Sequence, residues 1–169
     1  NKNHLKYSIW KYLDIFMFLS IVILFICYFC ALFLGHIGLF CDISDLGINM
    51  PERVLFRFNL AIMGSLLILI SFPIHDIIFL HLNKYKKKTL CNIARNSQII
   101  SGIGIILVGA CNPEESLIFH LLSAIGAFGG SFITQFIYNI LLYYEHKKIV
   151  YKIRCIITSI FFICFILFI

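Results

Sequence analysis

Five residues of this chain stand out, by type and grouping, as suited to proton transfer or ligand binding. His36, Asp42, Asp45 and Glu52 fall within residues 36–53, together with two glycines and a proline, and His120 stands far along the chain beside an apolar run. An imidazole next to a carboxylate can act as a general acid and base, imidazoles and carboxylates together can hold a metal ion, and the same groups fully hydrogen-bonded can plug one end of a helix bundle. The spacing supplies neither the HxxxH or HExxH pattern of zinc sites nor a GxSxG nucleophile elbow, so no metal ligand, cofactor or catalytic residue is assigned. The favoured role for this outer polar cluster is the structural plug, because a carboxylate or imidazole at membrane depth has to find a partner.

The elements that would position these residues follow from composition. Hydrophobic residues make up 61% of the 169, charged residues 13%, and the mean hydropathy is +0.97, where a soluble domain is about 45–50% apolar and about 25% charged. So few charges cannot cover a core in water, and lipid must be the solvent for most of the surface. The expected fold is all-α, a polytopic transmembrane bundle. A helix needs about 20 apolar residues to cross hydrocarbon about 30 Å thick, and five runs are candidate spans: residues 15–34, 54–80, 98–111, which is short and rich in small residues, 117–144 and 153–169. The fifth is still apolar at Ile169 and residue 1 is Asn, so the chain reads as a piece of a longer protein.

Basic residues set the expected orientation. Lys2, Lys6 and Lys11, then Lys84, Lys86, Lys87, Lys88 and Arg95, then Lys147, Lys148, Lys152 and Arg154 fall on one side of the membrane, and Arg53 and Arg57 on the other. The positive-inside rule puts the first side, with the N-terminus, in the cytosol and residues 36–53 outside it. The net charge of +6 does not imply nucleic acid, since the basic residues sit in short juxtamembrane loops without interleaved aromatics. Attraction of Lys84, Lys86, Lys87 and Lys88 to anionic lipid, about 1 kcal/mol per charge, explains the run more simply than a specific phosphoinositide site.

Cysteines occur at 27, 30, 41, 91, 111, 155 and 164. The CxxC of Cys27 and Cys30 lies inside the first span, where packing is the favoured role; Cys41 and Cys111 both fall on the outer side, where a disulfide is one option. No N-x-S/T sequon occurs, and the first apolar run is too long, with too weak a cleavage pattern, for a signal peptide. Gly126 and Gly130 form a GxxxG pair in the fourth span, flanked by Ser123, Ala127 and Ser131. Internal packing against the third span, with its Gly102, Gly104 and Gly109, is favoured over dimerisation.

Residues 43–56, "ISDLGINMPERVLF", resemble the outer-loop signature I-S-D-x-G-x-x-P-P-E-x-x-I-F of the FRAG/DRAM/SFK family of multi-pass membrane proteins, which includes the N-terminal domain of Cwh-type GPI-lipid remodelling proteins. Ile43, Ser44, Asp45, Gly47, Pro51, Glu52 and Phe56 are in register, while Met50 replaces the first proline and Cys41 an upstream one. His120, Ala124, Ala127 and Phe128 match an H-x-x-x-A-x-x-A-F block, and "KIRCIITS" resembles the entry to helix five. The resemblance implies six helices with both termini cytosolic, of which five are present here. It also implies an endomembrane (ER, Golgi or lysosome-like) or plasma-membrane location. Family roles range over GPI-anchor fatty-acid remodelling, recruitment or regulation of a phosphatidylinositol kinase, lipid asymmetry and autophagy.

The expectation is a non-enzymatic adaptor or lipid-organising protein, with membrane lipids and protein partners in a larger complex. The alternative is a GPI-anchor or other lipid-remodelling enzyme, or a subunit of one, using His120 with Asp45 or Glu52 at the outer leaflet. Transport is disfavoured by the lack of paired mid-membrane charges and of an inverted repeat.

Overall fold

The computed structural model describes residues 2–38, 43–81, 85–111, 114, 116–142, 152, 155–160 and 163. Four long helices dominate: α1 (Lys2–Phe33), α2 (Glu52–His81), α3 (Tyr85–Ala110) and α4 (Leu117–Leu142), with a single 3₁₀ turn at Ile43–Gly47 before α2. Among the described residues there is no strand. Residues 152, 155–160 and 163 are helical as well. This is a helical membrane bundle. α2, α3 and α4 are each long and apolar enough to cross a bilayer, and Phe18–Phe33 of α1 forms a shorter apolar stretch.

Two helices begin earlier than apolarity suggests. No glycine or proline interrupts residues 2–33, so α1 runs back through the lysine-bearing segment to Lys2. α3 starts at Tyr85 rather than near residue 98 and takes in Asn92, Arg95 and Gln98. Helices pack in chain order, α1 on α2, α2 on α3 and α3 on α4. α3 is therefore flanked on both sides by protein, which shelters polar residues that a lipid-facing helix could not carry.

Backbone approach holds the middle of this row. A Cβ on Gly102 would lie 2.6 Å from the Gly64 carbonyl oxygen of α2, and one on Gly130 of α4 2.6 Å from the Ser97 oxygen of α3. A Cβ on Gly104 would run into the Ala127 backbone nitrogen and come within 2.8 Å of the Ser123 oxygen. Small residues permit this contact, and hydroxyls then bond across it. Ser101 donates to the Ala127 oxygen at 2.7 Å and meets Ser131, and Thr134 bridges the carbonyls of Ala94 (3.1 Å) and Gly130 (2.8 Å). Gly102 thus faces α2, while Gly104 and Gly130 line the α3–α4 seam. Gly126 sits at the edge of that seam, with room for a Cβ 3.9 Å from the Gly104 Cα. On the far side of α4, the Asn139 amide donates to the Thr158 hydroxyl at 2.9 Å, seating the fifth helical segment there.

α1 is joined differently. Its apolar side chains Phe18, Phe25, Phe29 and Phe33 are exposed, as suits lipid contact, and Asn59 of α2 donates to the Ser20 oxygen at 3.1 Å. Gly35, at φ +71°, closes α1: the amide of Gly35 bonds to the Leu32 oxygen at 3.1 Å and that of His36 to the Ala31 oxygen at 2.9 Å. The left-handed residue that this closure requires is cheap only for glycine.

Candidate functional site

At the end of the bundle where residues 36–53 run, the chain leaves α1 at Gly35 and returns over the α1–α2 junction. Leu46 of the 3₁₀ turn (3% exposed) packs with Phe56 of α2 (2%) and with Cys27 and Ala31 of α1, making a small apolar core. Gly47 suits this approach, because a Cβ there would lie a tight 3.2 Å from the Phe56 ring. Glu52 opens α2, where a carboxylate complements the helix dipole.

That carboxylate is only 1% exposed, and its Oε1 lies 2.6 Å from Nδ1 of His36, whose side chain is 32% exposed. The hydrogen bond ties the segment after α1 to the first residue of α2. Oε2 of Glu52 is buried without a partner, as is Nη2 of Arg57 five residues on. An imidazole oriented through Nδ1 by a carboxylate is also the arrangement that makes Nε2 a base. His120 is buried in the first turn of α4, and its Nδ1 lies 2.9 Å from the Cys111 carbonyl oxygen. Its imidazole therefore fastens the short connection between α3 and α4.

Of the residues singled out in sequence, the structure joins His36 to Glu52 and places His120 on the α3–α4 connection. Asp45 lies half-buried in the 3₁₀ turn. Asp42, Cys41 and Lys84 lie outside the described residues, as does the side chain of Lys86; Cys111 carries a free thiol. Lys87 and Lys88 belong to the first turn of α3.

The opposite end of the bundle holds a second polar group that the sequence does not advertise. His75 of α2 is buried, with Nε2 2.7 Å from Asn92 Oδ1 of α3 and Nδ1 3.1 Å from Asp76 Oδ1. Phe79 stacks on its ring at 5.2 Å, and the Lys88 ammonium stands 4.7 Å above Phe79. The Cys91 thiol points at the His75 carbonyl at 3.7 Å. Cys91, Ala94, Ile137, Tyr138 and Leu141 form the apolar core beneath. The available signal was a seven-residue repeat: Lys88, Arg95, Gly102 and Gly109 share one stripe of α3, and the two glycines of that stripe meet Gly64 and Leu60 of α2.

A family model described as Frag1/DRAM/Sfk1/Cwh43P N-terminal domain matches residues 9–169. No curated protein and no solved structure matches the chain.

Proposed function

The chain belongs to the Frag1/DRAM/Sfk1/Cwh43P N-terminal domain family, and from that premise we propose that it works as a non-enzymatic membrane adaptor or lipid-organising protein. In this reading residues 36–53 form a fixed cap on the luminal or extracellular side. The opposite end, with Lys84, Lys86, Lys87 and Lys88, faces the cytosol and meets anionic lipid and protein partners of a larger complex in an endomembrane or the plasma membrane.

The observation that carries this reading is the His36–Glu52 hydrogen bond. It spends the Glu52 carboxylate, the most buried one among the described residues of the loop end, on holding the cap to α2. His120 is spent in the same way on the Cys111 carbonyl. An adaptor needs such a rigid frame, because its partners read a surface. Native purification of the full chain with mass spectrometry of what travels with it is the test. Recovery of defined protein partners together with anionic lipid supports the adaptor, and recovery of a monodisperse chain with neither overturns it.

A second reading rests on the same pair. His36, oriented by Glu52 and partly exposed, can serve as a base for a lipid-remodelling enzyme or enzyme subunit at the outer leaflet, including one acting on GPI anchors. Variants at His36 and Glu52 that fold and localise normally yet lose a lipid product would favour it over the adaptor.

A further inference from the structure

Arg95 lies inside α3, seven residues beyond Lys88 and so about 10 Å further along the axis. It makes no ion pair with any described residue. The residue is half-buried and its Nε is buried without a hydrogen-bond partner. Nearby, within electrostatic reach, the Tyr138 hydroxyl is also buried without a partner, on a side chain 5% exposed. A guanidinium at that depth is costly unless something supplies the counter-charge.

Its position suggests what does. In the repeat Lys88, Arg95, Gly102, Gly109, the glycines face α2 and Lys88 reaches Phe79 of α2, so Arg95 lies on the α2 side between them. Side chains on a helix lean toward its N-terminus, and the N-terminus of α3 is at the lysine-bearing end. Arg95 therefore leans toward the same membrane boundary as Lys88. The neighbouring carboxylate, Asp76, is 75% exposed and bonded to His75. It is not within ion-pair distance of Arg95.

We propose that Arg95 and Lys88, backed by the Tyr138 hydroxyl, bind the phosphate of an anionic lipid headgroup in the leaflet at the basic end. The guanidinium fork matches two phosphate oxygens, and the ammonium adds a point charge toward the interface. This deepens the reading of the basic end as a lipid contact and rests on it, but moves the specific recognition from the lysine run alone to a site that includes a residue within the span.

The test uses the full chain in nanodiscs of phosphatidylcholine, with and without phosphatidylinositol 4-phosphate, read by melting temperature and by lipid retained in native mass spectrometry. Wild type should melt higher with the anionic lipid. Arg95→Gln should melt at least as high as wild type in phosphatidylcholine, because an unpaired charge is gone. It should also lose the lipid-dependent gain and retain the phosphoinositide about tenfold less, the loss of one charge-assisted hydrogen bond. Arg95→Lys should fall between. Lys84→Gln/Lys86→Gln reports on the lysine run without Lys88 or Arg95. If that double variant loses the lipid while Arg95→Gln keeps it, the site is overturned and the basic-loop reading stands; if neither variant changes retention, both fail. Melting that rises with inorganic phosphate in phosphatidylcholine nanodiscs, with displacement of the lipid, would overturn the lipid as the source of the anion.

Discussion

The two ends of this bundle use their polar residues differently. At the loop end, His36 is bonded to Glu52 and His120 to the Cys111 carbonyl, each bond fastening one connection of the chain, although Glu52 Oε2 and Arg57 Nη2 have no hydrogen-bond partner among the described residues. At the basic end His75 is bonded on both ring nitrogens, but Arg95 Nε and the Tyr138 hydroxyl have no hydrogen-bond partner. A polar group fastened to its own chain stabilises the fold, whereas a buried donor with no partner has a desolvation cost until a partner is supplied. The loop end thus reads as a brace, and the basic end as the place where the protein meets something else.

The largest effect should come from disturbing the middle on which both ends depend. Gly104→Leu would force α3 off the Ala127 and Ser123 backbone of α4, which cannot yield as a flexible side chain would. Size-exclusion profiles in detergent should show almost no monodisperse protein, and a wild-type profile would mean that the α3–α4 contact is not what holds the ends in place.

His36→Ala should come next. It leaves the Glu52 carboxylate buried with neither oxygen bonded, a loss of about 2 kcal/mol after allowing for the partial exposure of the imidazole. Thermal unfolding should show it, and Glu52→Gln, which keeps an acceptor for His36, should lose less. Equal losses would indicate that the pair contributes little as a brace. His120→Ala should follow at about 1 kcal/mol, the value of one hydrogen bond to a carbonyl. The smallest change is expected at Gly126→Ala, within about 0.5 kcal/mol, since the added methyl meets nothing closer than 3.9 Å. A large loss there would place Gly126 inside the seam rather than at its edge.

How much of this was legible in the sequence differs by level. The helical membrane character follows from composition, and the small residues of spans three and four point to close packing without saying which glycine faces which helix. Gly102 and Gly104 are two residues apart, about 200° around a helix, so one meets α2 and the other α4. The start of α3 was hidden because Thr89, Asn92, Arg95, Ser97 and Gln98 lower its apolarity. The position of α3 between two neighbours makes the buried Ser97 and Gln98 tolerable, and that is a tertiary fact. In the candidate site, His36 and Glu52 were visible as polar residues on one side of the membrane, but their pairing depends on Gly35 turning the chain back over α2. The His75–Asn92 bond is hidden for the same reason as the start of α3: Asn92 precedes the apolar run that marks the third span.

The central claim, that the loop end braces the bundle and performs no chemistry, is tested most directly by lipid mass spectrometry of cells in which the endogenous protein is replaced by Glu52→Gln or His120→Gln at matched protein level and localisation. The account predicts a lipid profile, GPI lipids included, that matches wild type for both variants. Disappearance of a specific lipid product in either one, with the protein folded and correctly placed, would contradict it.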